Sequence, residues 1–109
     1  MRIYAIWLMV VAFVYRLCRR VERFDKDLAR QMRRAVSSAA LNIAEGKHGR
    51  GGNRIARYAD ALGSAQETRA CLDVCIAAEF ISAAAIAADM DRIDHVIASM
   101  YVLCYKRRA

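Results

Sequence analysis

Apolar side chains recur along this chain at steps of three and four, the period of a helix with one buried face. Ile3 to Tyr15 is continuously apolar or aromatic, and a first helix is expected over about residues 3–23. Phe24-Asp25 forms a short joint, with Asp25 placed to cap a second helix over about 26–45. That helix carries Leu28, Met32, Ala35, Val36, Ala39 and Ile43 on one face. Gly46 to Asn53 reads as a loop, with Gly46 at the left-handed position just past the helix and Asn53 as the next cap. A third helix, about 54–80, has the stripe Ile55, Tyr58, Leu62, Ala65, Leu72 and Ile76. Ser82 is placed to cap a fourth, about 83–107, where Ile86, Met90, Ile93, Ile97, Met100 and Cys104 alternate steps of four and three. The pattern predicts one all-α domain over 1–109, an antiparallel up-down four-helix bundle.

Composition narrows the picture. Of 109 residues 58% are hydrophobic, which argues against disorder, and 27% are charged, which argues against a membrane protein. Proline is absent, and Gly46, Gly49, Gly51 and Gly52 account for four of the five glycines. A sandwich or barrel needs breakers every 8–12 residues or so, and they are missing. The thirteen residues Ile3–Tyr15 fall short of a membrane span, are bracketed by Arg2 and Arg16, and lack a signal-peptide cleavage site. A helix buried within the bundle or between subunits explains them better. Alanine is frequent on helices three and four and leaves them semi-apolar all round, so an oligomer is expected rather than a monomer.

The formal charge is +7 and unevenly spread. Residues 1–24 hold five arginines against one acid, and residues 46–57 hold four basic side chains and no acid. Residues 58–99 reverse this, with two arginines against seven acids, before the tail Lys106-Arg107-Arg108. In an antiparallel bundle Lys47, Arg50, Arg54, Arg57, Lys106, Arg107 and Arg108 share one pole, and Arg19, Arg20 and Arg23 mark the other. The first group is the candidate surface for nucleic-acid phosphates, with the N–H groups that open helix three beside it. No aromatic interleaving and no base-reading motif accompanies these residues, so the contact expected is electrostatic, with RNA or DNA as the partner. The plainer alternative is a solvated loop whose glycines only reverse the chain.

Catalytic and metal chemistry find little support. Cys18, Cys71, Cys75 and Cys104 include no CxxC pair and read as small core residues, which fits a cytoplasmic protein. Glu45-Gly46-Lys47-His48 spells Glu-x-x-His, but a glycine interrupts the pair and no second copy exists. Asp91-Arg92-Ile93-Asp94-His95 sets acids beside a histidine, but Ile93 faces the core, so its immediate neighbours are expected to face outward. The glycine-rich stretch follows a helix and lacks Gly-Lys-Ser/Thr, unlike a phosphate-binding P-loop. No enzyme activity, catalytic residue, metal or cofactor is expected.

Gln31-Met32-Arg33-Arg34-Ala35-Val36-Ser37-Ser38, then Asn42-Ile43-Ala44-Glu45-Gly46 and Arg50, resembles the signature of a bacterial family. These are the four-helix-bundle proteins encoded in intervening sequences of 23S ribosomal RNA genes. Arg57-Tyr58, Ala61-Leu62-Gly63-Ser64 and Glu67-Thr68 are similar to that family's third helix. Where the family often has Ile-Pro-Ser before the asparagine, this chain has Ala39-Ala40-Leu41, so no proline kink is implied. The resemblance implies a homo-oligomer, a pentameric ring in the family's known assembly. It also implies kinship to the accessory variability proteins of diversity-generating retroelements, which bind nucleic acid and a reverse transcriptase. Arg34, Ser38, Asn42 and Glu45 fall on one face of helix two, and Arg34, Asn42, Glu45 and Gly46 are expected to set helix or subunit register. Glu45 is expected to pair with Arg34 or with an arginine of a neighbouring helix. Three functions follow as expectations: a nucleic-acid-binding oligomer, a protein adaptor docking on a partner such as a reverse transcriptase, and a purely structural assembly.

Overall fold

The structure is a computed structural model and describes residues 2–106. Four helices make up the fold: α1 (Arg2–Val21), α2 (Lys26–His48), α3 (Gly51–Ala77) and α4 (Ala87–Tyr101). A 3-10 turn, Ala84–Ile86, precedes α4, and a π-helical turn, Val102–Lys106, continues it. There is no strand among the described residues.

The joints follow from local chemistry. Asp25 is extended and its carboxylate accepts a hydrogen bond from the Leu28 amide at 2.9 Å, satisfying one of the donors that open α2. Ser82 Oγ accepts from the Ala85 amide at 3.2 Å and so caps the 3-10 turn rather than α4 itself. α3 stops three residues before the expected Phe80. There Glu79 is left-handed (φ 64°), its amide donates to Ile76 O at 3.0 Å, and the Phe80 amide donates to Cys75 O at 2.9 Å. This paired closure of the last carbonyls is a Schellman motif, built here without glycine. Phe80 then stacks on Phe24 with ring centroids 4.9 Å apart, tying the α1–α2 joint to the end of α3.

The largest departure lies between α2 and α3. The expected loop from Gly46 to Asn53 shrinks to Gly49 and Arg50, because α2 runs on to His48 and α3 already begins at Gly51. Gly46 is therefore not a left-handed terminator but a buried residue inside α2. Its missing side chain makes room: a Cβ there would lie 2.5 Å from Tyr58 Cε1 and 2.6 Å from Cδ1. Asn53 lies within α3 and does not cap it; Arg50 holds the cap position with no side-chain bond. The left-handed residue of the reversal is Gly51, at φ 56°. Helices propagate while hydrogen bonds are available, and one left-handed residue suffices to turn the chain.

α2, α3 and α4 turn their stripes inward, with Ile55, Ile76, Met90 and Ile97 half-buried, and the continuously apolar α1 buries one of its faces. Trp7, Val10, Val14 and Cys18 of α1, Met32, Val36, Ala39 and Ile43 of α2, Leu72 and Cys75 of α3, and Ile93 and Met100 of α4 form one core. The buried Trp7 indole N–H donates to Val36 O at 2.9 Å, so its burial leaves no orphan donor. All four cysteines are free and buried. Burial raises each thiol pKa, that of Cys75 to about 11, so they stay protonated near neutrality and pack as small apolar groups. Cys75 Sγ lies 3.7 Å from Met32 Sδ at the α2–α3 contact.

Gly46→Ala should destabilise the protein by about 1–3 kcal/mol, since overpacking against the buried Tyr58 ring outweighs the roughly 1 kcal/mol gain in helix propensity. Gly63→Ala, at a helical site with nothing within 4 Å of the added Cβ, should stabilise by about 0.5–1 kcal/mol. Denaturant midpoints of the two variants, moving in opposite directions, are the check.

Candidate nucleic-acid interface

Along the α2–α3 contact the polar side chains pair in strict sequence. Arg34 Nη2 lies 3.4 Å from Glu67 Oε2, Ser64 Oγ donates to Ser38 Oγ at 3.0 Å, and Arg57 Nε lies 3.1 Å from Glu45 Oε2. Asn42 Nδ2 donates back to Ser38 O at 3.0 Å. Over these three pairs the α2 partners rise in number as the α3 partners fall, and Gly46 meets Tyr58 beside the last pair. The four residues singled out on α2 thus all lie at its junction with α3. Glu45 takes its arginine from α3, and Arg34 pairs instead with Glu67. An open groove of about 540 Å³ follows this line from Tyr15 and Arg34 to Glu45 and Arg57. Every guanidinium in it is matched by a carboxylate: Arg33 is bonded to Glu22, Arg34 to Glu67 and Arg57 to Glu45. The groove is therefore polar without being a strong anion seat.

Unpaired cations lie outside the ladder, among them Arg2, Arg16, Arg19, Arg20, Arg23 and Lys26 along α1 and the start of α2, and four of the candidate residues. Lys47, Arg50, Arg54 and Lys106 are exposed, and none forms an ion pair with a described residue. Lys47 and Arg50 sit at the α2–α3 hinge and Arg54 in the first turn of α3. Arg57, expected among the free cations, is partly neutralised by Glu45. Arg107 and Arg108 lie outside the described residues.

Aromatic rings accompany this charge, contrary to the expectation of none. Lys47 Nζ lies 5.3 Å from the Tyr4 ring centroid, Arg54 Cζ 5.7 Å from that of Tyr58, and Lys106 Nζ 5.9 Å from that of Tyr101. All three are within cation–π range. The Arg54/Tyr58 and Tyr101/Tyr105 spacings of four were visible signals in the sequence. Lys47 meets Tyr4 only because α1 and the end of α2 pack together.

Glu45 and His48 lie on one continuous helix, so the supposed interruption by Gly46 does not exist. Even so, no group of three or more His, Cys, Asp or Glu side chains among the described residues stands close enough to hold a metal ion. Ile93 is buried, and Asp94 and His95 are exposed; Asp94 accepts from Arg69 Nη1 at 2.5 Å. No described helix is long and apolar enough to cross a membrane.

These features define a bundle of four helices whose α2–α3 junction is laced by a polar ladder and ends in a basic, tyrosine-bearing hinge. Residues 1–101 match the 23S rRNA-intervening sequence protein family, and the chain belongs to that family. The fold is also that of a protein with unknown function from the S23 ribosomal protein family of Bacteroides thetaiotaomicron VPI-5482. The two chains share 18% identity and a TM-score of 0.85, over 94% of this chain and 98% of the other. No curated protein matches the chain.

Because Glu45 and Arg57 are 57% and 44% exposed, Glu45→Ala should cost less than about 1 kcal/mol. Thermal melts check this, and a loss of several kcal/mol would mean that the pair is buried in an assembly.

Proposed function

We propose that this protein is a non-enzymatic, cytoplasmic, antiparallel up-down four-helix bundle that forms a homo-oligomeric ring of five and binds RNA or DNA without sequence preference. The contacts are assigned to Lys47, Arg50, Arg54, Arg57, Lys106, Arg107 and Arg108. The observation that carries this reading is the run of cations around the α2–α3 turn, where Lys47, Arg50 and Arg54 follow one another with no acid between them. Arg30, Arg33, Arg34, Arg57, Arg69 and Arg92 are paired with acids, whereas Lys47, Arg50, Arg54 and Lys106, like Arg2, Arg16, Arg19, Arg20, Arg23 and Lys26, have no acidic partner among the described residues. Cations held near one another without carboxylates favour an external polyanion. Affinity from such contacts comes mainly from released counterions and falls as salt rises.

Assembly is supported by α1. Ala5, Leu8, Met9 and Ala12 lie exposed at helical spacing, with Leu8 45% and Met9 53% accessible in the single chain. Such a stripe is better covered by another copy than by water. A second reading, an adaptor that docks on a protein such as a reverse transcriptase, is favoured by the charge-balanced groove, where Leu41 stands 65% exposed amid polar side chains. The kinship to the accessory variability proteins of diversity-generating retroelements that the resemblance implies fits either reading.

Neutralising Arg50, Arg54 and Arg57 together should weaken binding to unrelated RNA and DNA alike and flatten the slope of log affinity against log salt by about two to three units. Wild-type protein that retains no nucleic acid at low salt would defeat the reading and leave the adaptor. Light scattering coupled to size exclusion should give the mass of five chains, and Met9→Glu should reduce it. A wild-type monomer at micromolar concentration would overturn the ring.

A further inference from the structure

Five tyrosines occur in the chain, and three of them are engaged. Tyr58 is 2% exposed beneath Arg54 and against Gly46, the Tyr15 hydroxyl shares a 2.8 Å hydrogen bond with Ser37, and Tyr4 is half-buried beneath Lys47. Tyr101 and Tyr105 differ. They are 47% and 57% exposed, and neither hydroxyl is hydrogen-bonded to a described residue. Their ring centroids are 5.0 Å apart and their planes are inclined at 52°, so the contact leaves ring faces open. Val102, 43% exposed, adds apolar surface beside them. The π-helical turn over Val102–Lys106 keeps Cys104 inward at 2% exposure while both rings stay outside. Lys106 holds its ammonium group 5.9 Å from the Tyr101 centroid.

We infer that Tyr101 and Tyr105 form a stacking platform for unpaired bases, with Lys106 seating the adjoining phosphate, so that the nucleic acid this protein takes is single-stranded. The inference rests on the nucleic-acid reading above and specifies its substrate class. Two exposed rings, one of them with an unpaired cation over it, match the two parts of a nucleotide, an aromatic face and an anion. A duplex offers phosphates to the same surface but keeps its base faces stacked inside, out of reach of the rings. The tilt between the rings suits a flexible strand, whose bases need not lie parallel. A contact between two copies of this chain would also cover the rings, and in a head-to-tail ring it would set them against a different surface of the neighbour, whereas a polynucleotide satisfies rings and charge together.

The test compares three fluorescently labelled probes against the full chain at fixed low salt: oligothymidylate, an abasic oligonucleotide of the same length, and a duplex. Wild type should bind oligothymidylate at least about ten-fold more tightly than the abasic strand, since each stacked base contributes roughly five-fold or more. The double variant Tyr101→Leu/Tyr105→Leu should lose that preference while its affinity for the abasic strand and the duplex changes less than about two-fold. Tyr101→Phe/Tyr105→Phe should retain it, because the ring faces remain. Equal wild-type binding of oligothymidylate and abasic strand would overturn the platform while leaving the electrostatic reading in place. Retention of none of the three probes would defeat both. A Leu variant with wild-type preference would overturn the assignment to these rings, and one with altered oligomer mass would assign them to a contact between copies.

Discussion

The bare backbone of Gly46 against the ring of Tyr58 sets how closely α2 and α3 approach, and much of the molecule depends on that distance. A Cβ at Gly46 would sit 2.5 Å from the ring, so any other residue would push the helices apart or displace a buried tyrosine. With the helices in contact there, Glu45 reaches Arg57, and the ladder continues through Ser38 and Ser64 to Arg34 and Glu67. Such pairs are half-exposed and each adds little stability. Their consequence is register: a slip of either helix by one turn would set unlike partners side by side.

Close packing also explains the short hinge. Because α2 extends three residues beyond Glu45 and α3 begins at Gly51, the basic side chains of this stretch are held on helix ends rather than on a loose loop. Lys47 projects from a helical turn toward Tyr4, and Arg54 from another toward Tyr58. Cations held this way lose less conformational freedom on meeting a polyanion than cations on a flexible segment. The same geometry removes Arg57 from the free group, since the ladder that fixes register also supplies its carboxylate.

Burial and exposure divide the chain's less polar features in a similar way. The four cysteines are enclosed and protonated, and they serve packing. Apart from Tyr15, Leu41 and Val74, the large apolar groups that remain outside fall together: Leu8 and Met9 on α1, Phe24 on its stack with Phe80, and Tyr101 with Val102 and Tyr105 at the end of α4. Each group has a distinct geometry. A flat aliphatic stripe suits another helix, whereas tilted rings beside an ammonium group suit a ligand with both π faces and charge.

The sequence pattern determined four helices, the inward faces of α2, α3 and α4, and the cap at Asp25. These depend on interactions within a few residues, where spacing and side-chain type decide the outcome. The family motif was legible too, because its residues recur on one face of one helix. The role of Gly46 was not. A glycine after a helical stretch reads locally as a terminator, and only the ring brought by α3 reveals it as a site of close approach. Asn53 was misread for the same reason: the preference of asparagine for caps is weak beside a helix that can start earlier at Gly51. Nor could spacing show that Glu45 neutralises Arg57, or that Tyr4 lies under Lys47, since those pairs are made between helices. Charge along a chain is fixed by its letters, but which charges remain free is decided by the partners that packing places within reach.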